Sequence, residues 1–202
     1  EKMKYTVLAT LFASAQAFAP TFGVARSNMA LNADLIETMK TAQGPHICWG
    51  SEGVMAGYEE NDIKGYDNLN NLVAAIEKAG LTDALKSGEY TILAPVDSIV
   101  EQMGADKFTE DVLKYHVIPG KHTVDSISGD METLNGKKLT YSRKFRKTFL
   151  DDTILGQESN YGGGSGYPCN IEADNGIIHI VSTPVDPSFE VLNAEAGLGG
   201  VV

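Results

Sequence analysis

The chain has 202 residues, 43% hydrophobic and 21% charged, which suits one globular domain with extensions rather than two full domains or a disordered chain. Its formal net charge is −11, and before Asp34 the cations Lys2, Lys4 and Arg26 stand against Glu1 alone, so the remainder is more acidic still. Such a surface excludes nucleic acid and bare anionic lipid as natural partners. Two cysteines, Cys48 and Cys169, lie far apart and in no C-x-x-C spacing, so neither a disulfide scaffold nor a zinc site is indicated.

From Met3 the chain reads a basic residue, Lys4, an apolar run from Tyr5 to Ala13, and then Ser14-Ala15-Gln16-Ala17, where Ala15-x-Ala17 has the form of a signal-peptidase site. The run falls short of the roughly 20 residues of a membrane span. Phe18 to Ala30 follows with Arg26, hydroxyl residues and no acid, which is transit-peptide chemistry. The join Ala15-Gln16-Ala17-Phe18-Ala19-Pro20 resembles the bipartite presequence boundary of algae whose plastids descend from a red alga. The expected organisation is a signal peptide over 1–17, a plastid transit peptide over 18–33, an N-terminal arm over 34–66, a domain over 67–187 and a tail over 188–202. A simple secretory signal is the competing reading, although no N-x-[ST] sequon occurs. After Arg26 neither a twin-arginine pair nor a second apolar segment precedes the domain, which favours stroma over thylakoid lumen.

Asp34 to Ala42 reads as a short helix, with Leu35, Ile36 and Met39 on one side. Gly44-Pro45 and a Gly-, Asp- and Asn-rich stretch to Asn68 then read as an arm rather than a core element. Trp49, the only tryptophan, and Tyr58 sit in this arm, which either folds over the domain or lies on a partner. Leu69, Leu72, Val73, Ile76, Leu81 and Leu85 form a helical stripe broken at Ala79-Gly80, so two short helices are expected. Tyr90 to Ala94 reads as a strand entering a turn at Pro95, and Asp106 to Tyr115 as a helix stopped by Pro119-Gly120.

Beyond this the period changes. Thr123 to Ile127, Met131 to Leu134, Lys138 to Tyr141, Thr148 to Leu150, Thr153 to Leu155, Asn170 to Ala173 and Ile177 to Val181 are short β-type runs. Asn135-Gly136 and Asn175-Gly176 are two-residue hairpin signals of the type I′ kind. Helices first and strands afterwards predict an α+β domain built on a bent sheet.

Three segments carry a family resemblance. Tyr90-Thr91-Ile92-Leu93-Ala94-Pro95-Val96-Asp97 resembles the first signature of fasciclin domains, Leu113 to Gly120 their central Tyr-His segment, and Asn175-Gly176-Ile177-Ile178-His179-Ile180-Val181 their second signature. They stand in family order and at family spacing across Asp67 to Pro187. Val96 replaces the usual threonine, and Ser98-Ile99-Val100 the Ala-Phe that often follows the aspartate, so capping and packing are expected to differ there. The resemblance implies a fasciclin-like fold with short N-terminal helices and a β wedge, acting as a non-enzymatic adhesion and protein-binding module with no cofactor. In animal members the Tyr-His region is associated with receptor binding, which nominates Tyr115 and His116.

Motifs for chemistry are missing: no H-E-x-x-H, no G-x-S-x-G and no G-x-x-x-x-G-K-[ST] occurs. Gly162 to Tyr167, inside a glycine-rich insertion from Gly156 to Pro168, reads as a surface loop. Of the histidines, His116 is expected as a structural imidazole with both nitrogens hydrogen-bonded near the turn at Asp97, and His179 facing solvent or a neighbouring strand. Lys137, Lys138, Arg143, Lys144, Arg146 and Lys147 place six cations in eleven residues, interleaved with Leu139, Tyr141, Phe145 and Phe149. They read either as solvated faces of a strand pair or as a docking patch for an acidic protein surface.

The candidate partner-binding residues are therefore Trp49, Tyr58, Tyr115, His116 and these six cations, with no catalytic residue and no metal ligand. The expected role is a peripheral stromal subunit or assembly factor docked on a photosystem or light-harvesting complex, attached to the thylakoid through protein, with no transmembrane helix in the mature chain. The alternative is a secreted cell-surface adhesion protein, and a third reading is an enzyme or pigment-binding protein.

Overall fold

The computed structural model of the chain describes residues 33–47, 63–144, 146–156 and 166–188. The leader before Ala33, Trp49 and Tyr58 in the arm, most of the glycine-rich insertion and the tail beyond Ser188 lie outside the described residues.

Helix α1, Leu35–Thr41, starts where Asp34 Oδ1 accepts a hydrogen bond from the Glu37 backbone N–H at 2.9 Å, which satisfies one of the donors that every helix start leaves open. Its Leu35, Ile36 and Met39 are buried in the main core, so this stretch is a core element and not part of an arm. Strands β1, Gly44–Ile47, and β2, Ile63–Asp67, then pair antiparallel, a ladder the sequence reading did not anticipate. Gly44 lies so close to the body that an added Cβ would stand 2.7 Å from Val96 Cγ1 and 2.8 Å from Ile180 Cγ2. Both contacts are shorter than packed carbon atoms tolerate, so a glycine is required where the arm enters the core.

The two helices expected after Leu69 are α2, Asn70–Lys78, and α3, Thr82–Ser87, which bury Leu72, Val73, Ile76 and Leu85. Strand β3, Tyr90–Pro95, follows, but the chain then forms helix α4, Asp97–Met103, where only a turn was expected. The helix starts at Val96, whose side chain is buried and has no capping oxygen. Asp67 supplies the cap from a distance: its Oδ2 accepts from the Ser98 N–H at 2.7 Å, while Asp97 Oδ1 accepts from Asn71 N–H at 2.7 Å in the first turn of α2. Asp67, at the end of β2, thus caps α4 while Asp97 caps α2, and the departure at Val96 is compensated by a residue about thirty positions earlier. A 3₁₀ turn at Ala105–Lys107 and helix α5, Glu110–Tyr115, cover the region expected as one helix.

Strand β4, Val117–Pro119, leads into the β half, which contains β5 (Met131–Glu132), β6 (Lys138–Leu139), β7 (Tyr141–Lys144), β8 (Lys147–Leu150), β9 (Thr153–Leu155), β10 (Ile171–Ala173) and β11 (Gly176–Val181). The run Thr123 to Ile127, expected as a strand, is a turn in which Ser126 N–H donates to the Thr123 carbonyl. Neither asparagine-glycine pair forms a type I′ turn. Of Asn135-Gly136 only the glycine has positive φ, at 83°, with Asn135 Oδ1 accepting from Lys137 N–H and Thr133 Oγ1. Ala173 pairs with Gly176, so Asp174 and Asn175 occupy the second turn.

The central sheet has the order β10-β11-β3-β4, with β3 and β11 parallel from Gly176↔Tyr90 to Val181↔Pro95 and the outer pairs antiparallel. The domain is α+β, as expected. Because side chains alternate across a strand, Ile92, Ala94, Ile178 and Ile180 face helices α1 to α4. Leu93 and Val181 face the other way, onto a second cluster with Tyr115, Ile118, Leu139, Leu150 and Leu155. That second layer is the wedge on which hairpins β5–β6 and β7–β8 are mounted.

Candidate functional site

The signature residues are interior fittings. Tyr115 is 3% exposed and its hydroxyl donates to Asp151 Oδ2 at 2.7 Å, with the Lys138 carbonyl 3.2 Å away. Burial, reinforced by the Asp151 carboxylate, raises the phenol above its ordinary pKa. Asp151 Oδ1 also accepts from Thr140 N–H at 2.8 Å, so one carboxylate locks α5 to the wedge. His116 is 1% exposed, and its Nδ1–H donates to the Val112 carbonyl at 2.8 Å. Its Nε2 is buried without a hydrogen-bond partner among the described residues, and its ring leans on Phe108 with centroids 5.8 Å apart. Both expectations for this imidazole therefore need correction: one nitrogen is bonded rather than two, and its contacts are Val112 and Phe108 rather than the turn at Asp97. Burial lowers its pKa to about 4, so the ring is neutral. Tyr115 and His116 present no surface to a partner, and the structure removes both from the candidate binding set.

His179 does not face solvent either. It is fully buried, with Nδ1 accepting from Asn170 N–H at 3.2 Å and Nε2–H donating to the His122 carbonyl at 2.8 Å, which fixes its tautomer. Thr91 is its neighbour in role: its hydroxyl donates to the Gly120 carbonyl at 2.7 Å and accepts from His122 N–H at 2.8 Å. Together they pin the segment after β4 onto the sheet. Asn175 ties three elements, accepting from Leu35 N–H and donating to the Leu85 and Gly88 carbonyls. Sequence reasoning placed no role on Thr91 or Asn175, although the Asn-Gly signal did mark the position.

The six cations divide into two groups. Lys137 Nζ donates to the Pro187 carbonyl at 2.9 Å and lies beside Asp186, whose carboxyl is held below its usual range by Ser188 and by Lys137. Lys138 stands directly opposite Glu132 in the β5–β6 ladder. Lys137 is thus bonded at home, and Lys138 has an acid opposite it in register. Arg143, Lys144, Arg146 and Lys147 sit at the tip of β7–β8, and none has an ion pair or side-chain hydrogen bond among the described residues.

Two local rules are broken at that tip. Lys144 pairs directly with Lys147, a like-charge cross-strand pair that weakens a hairpin. Arg146 holds φ at 65°, in the left-handed region that glycine or asparagine ordinarily fills. A cleft of about 510 Å³ opens beneath, lined by Asp125, Arg143, Arg146, Lys147, Thr148 and Leu155 among others. Arg143, Thr148 and Leu155 form one row across the three strands β7, β8 and β9.

A second cleft, of about 360 Å³, is lined by Ile99, Gln102, Met103, Ser182, Thr183 and Pro184, none of them titratable. Among the described residues no group of His, Cys, Asp and Glu could hold a metal, and no helix is long and apolar enough to cross a membrane. Cys169 Sγ accepts from Gly156 N–H at 3.0 Å, and burial raises its thiol to about 11, so it is an unreactive thiol. Tyr66 on β2 is the one large hydrophobic side chain left open among the described residues, 73% exposed.

The fasciclin domain family matches residues 67–187, more than half of the chain. Transforming growth factor-beta-induced protein ig-h3 of Sus scrofa is 28% identical over 141 residues, covering 62% of this chain and 18% of that protein. Immunogenic protein MPB70 of Mycobacterium bovis is 29% identical over 160 residues, covering 69% and 80% respectively. Cell surface glycolipoprotein MPB83 of the same species is 28% identical over 106 residues, covering 44% and 48%. The chain thus spans under a fifth of the pig protein and about half of the glycolipoprotein. Among solved structures, the domain pair of the insect cell adhesion molecule fasciclin I matches with a TM-score of 0.43 at 13% identity, covering 58% of this chain and 47% of that one. With its three signature segments now placed as the sheet and the Tyr-His anchor of one α+β body, this chain belongs to the fasciclin domain family.

Proposed function

We propose that the chain is a non-enzymatic protein-binding module that docks an acidic partner surface through the β7–β8 tip. The observation that carries this reading is the set of Arg143, Lys144, Arg146 and Lys147, four cations without a partner among the described residues on a chain of net charge −11. Opposite charge steers such an encounter, and Arg in particular suits an interface. Lys137, bonded to the Pro187 carbonyl, and Lys138, opposite Glu132, belong to the rim and contribute little.

The compartment we infer is the cell exterior, in an adhesion role, because one relative is named as a cell surface glycolipoprotein. The second reading, a peripheral stromal subunit or assembly factor on a photosystem or light-harvesting complex, is favoured by one specific observation, the Ala17-Phe18-Ala19-Pro20 join. Trp49 and Tyr58 belong to either reading as contacts from the arm.

One experiment tests both. The native chain is isolated, its mature N-terminus read, and lysine cross-links to its partner mapped. A start at Phe18 outside the plastid, with links from Lys144 and Lys147 to an acidic surface, is the expected result. A start near Ala30 in a photosystem band moves the module to the plastid. Cross-links that avoid the β7–β8 tip, or a partner kept by the Lys144→Glu, Lys147→Glu double variant, overturn the docking surface itself.

A further inference from the structure

We infer that the cleft under the β7–β8 tip is a binding site for a phosphate monoester, carried on a side chain of the acidic partner. This inference rests on the docking reading above and gives that surface its ligand chemistry. Three observations converge on it.

First, the cleft is built rather than incidental. Thr148 is buried, lines the cleft, and its hydroxyl has no hydrogen-bond partner among the described residues. Arg143 faces it across the ladder, on the same inward face. That face is apolar lower down, at Leu150 and Tyr141, and changes to a guanidinium and a hydroxyl where the cleft opens. A guanidinium fork beside an unpartnered hydroxyl offers charge-assisted hydrogen bonds, the stronger kind.

Second, the charge count selects the ligand. Arg143, Arg146 and Lys147 stand against Asp125 alone, an excess of two positive charges. A phosphate monoester carries about −1.5 to −2 at neutral pH and three acceptor oxygens. A carboxylate brings one charge and two coplanar oxygens, which one arginine fork already saturates. The tetrahedral group alone offers an oxygen to each cation and one lone pair to Thr148.

Third, the tip is held in an arrangement that its own fold does not favour. Lys144 opposes Lys147, and Arg146 occupies the left-handed region. Local rules broken without a structural gain mark functional positions. Arg143, Arg146 and Lys147 line one cleft, and Lys144 is not among its lining residues.

The test uses the full chain and calorimetry with four probes: inorganic phosphate, an acidic peptide bearing one phosphoserine, its unphosphorylated twin, and vesicles containing phosphatidic acid. The phosphopeptide is expected to bind roughly tenfold or more tighter than its twin, with inorganic phosphate competing. Arg143→Gln should remove that difference, weakening the phosphopeptide far more than the twin, and Asp125→Asn should tighten the phosphopeptide. Arg146→Gly removes a cation while relieving the positive φ, so its loss of phosphopeptide affinity cannot be ascribed to misfolding. Equal binding of phosphopeptide and twin overturns the phosphate site and leaves acidic docking standing. Binding of vesicles alone keeps the phosphate chemistry but overturns the proposal that a protein side chain carries it. The docking reading fails separately, if the Lys144→Glu, Lys147→Glu double variant keeps the native partner.

Discussion

The buried signature segments and the β7–β8 tip treat polar groups in opposite ways. Inside, Thr91, Tyr115, Asn175 and His179 each have partners, and each joins elements far apart in the chain. At the tip, four cations have none, two of them face each other, and one sits on unfavourable backbone. The residues that identify the family hold the fold, whereas the cations at the tip weaken it locally. Substitutions in the two regions should therefore move stability in opposite directions.

The largest effect is expected at Gly176. Its position is fixed by space and not by φ: a Cβ would collide with the Tyr90 carbonyl oxygen and come 2.7 Å from Leu35 Cδ1. Both lie in the parallel β3–β11 seam and its helical cover, which cannot part independently. Gly176→Ala should destabilise by about 3 kcal/mol, the upper end of overpacking costs. A denaturation midpoint within a few tenths of a kcal/mol of wild type would show that the seam yields.

Next comes pH. His116 falls from an ordinary 6.5 to about 4 because burial disfavours the imidazolium, and His179 is lowered for the same reason. A base whose pKa drops on folding adds stability above its unfolded value and loses it as pH falls toward the folded one. At about 1.4 kcal/mol per pK unit, His116 alone should remove about 3 kcal/mol between pH 6.5 and about 4. Unfolding free energies measured across that window should fall for the wild type and flatten for His116→Gln. An unchanged slope would place the acid transition elsewhere. Tyr115→Phe is smaller, about 2 kcal/mol, since it leaves the Asp151 carboxylate with one donor fewer inside the wedge.

Much of this division was legible in the sequence, but unevenly. The helical stripe from Leu69 to Leu85 and the β3 and β11 runs were readable because periodicity is local. Helix α4 was not, since its seven residues carry no cap of their own and depend on Asp67. Strands β1 and β2 escaped for a related reason: nothing near Gly44 announces that it must fit between Val96 and Ile180. The basic run was visible as six charges, yet its division was hidden, because Glu132, opposite Lys138, and Pro187, which accepts from Lys137, are brought there by register and folding. The Tyr-His segment misled for the opposite reason. Its resemblance was real, but the role attached to it requires exposure that burial denies.

The smallest effect has the most informative sign. Left-handed backbone costs an L-residue about 1 to 2 kcal/mol, of which glycine's greater freedom when unfolded returns part. Arg146→Gly should therefore stabilise the domain by a few tenths to about 1 kcal/mol. Lys144→Glu should add about 0.2 to 1 kcal/mol, by turning a like-charge cross-strand pair into an opposite one with Lys147. Both should weaken binding to an acidic partner, and only the lysine variant's gain should shrink in salt, because only that gain is electrostatic. Urea denaturation of the two variants at low and high salt reads the stabilities, and calorimetry with the acidic peptide reads the binding. If either variant were less stable than wild type, the tip would be contributing to the fold, and the contrast with the buried signatures would fail. Stability gained together with binding lost is the pattern expected of a site kept under strain for its ligand.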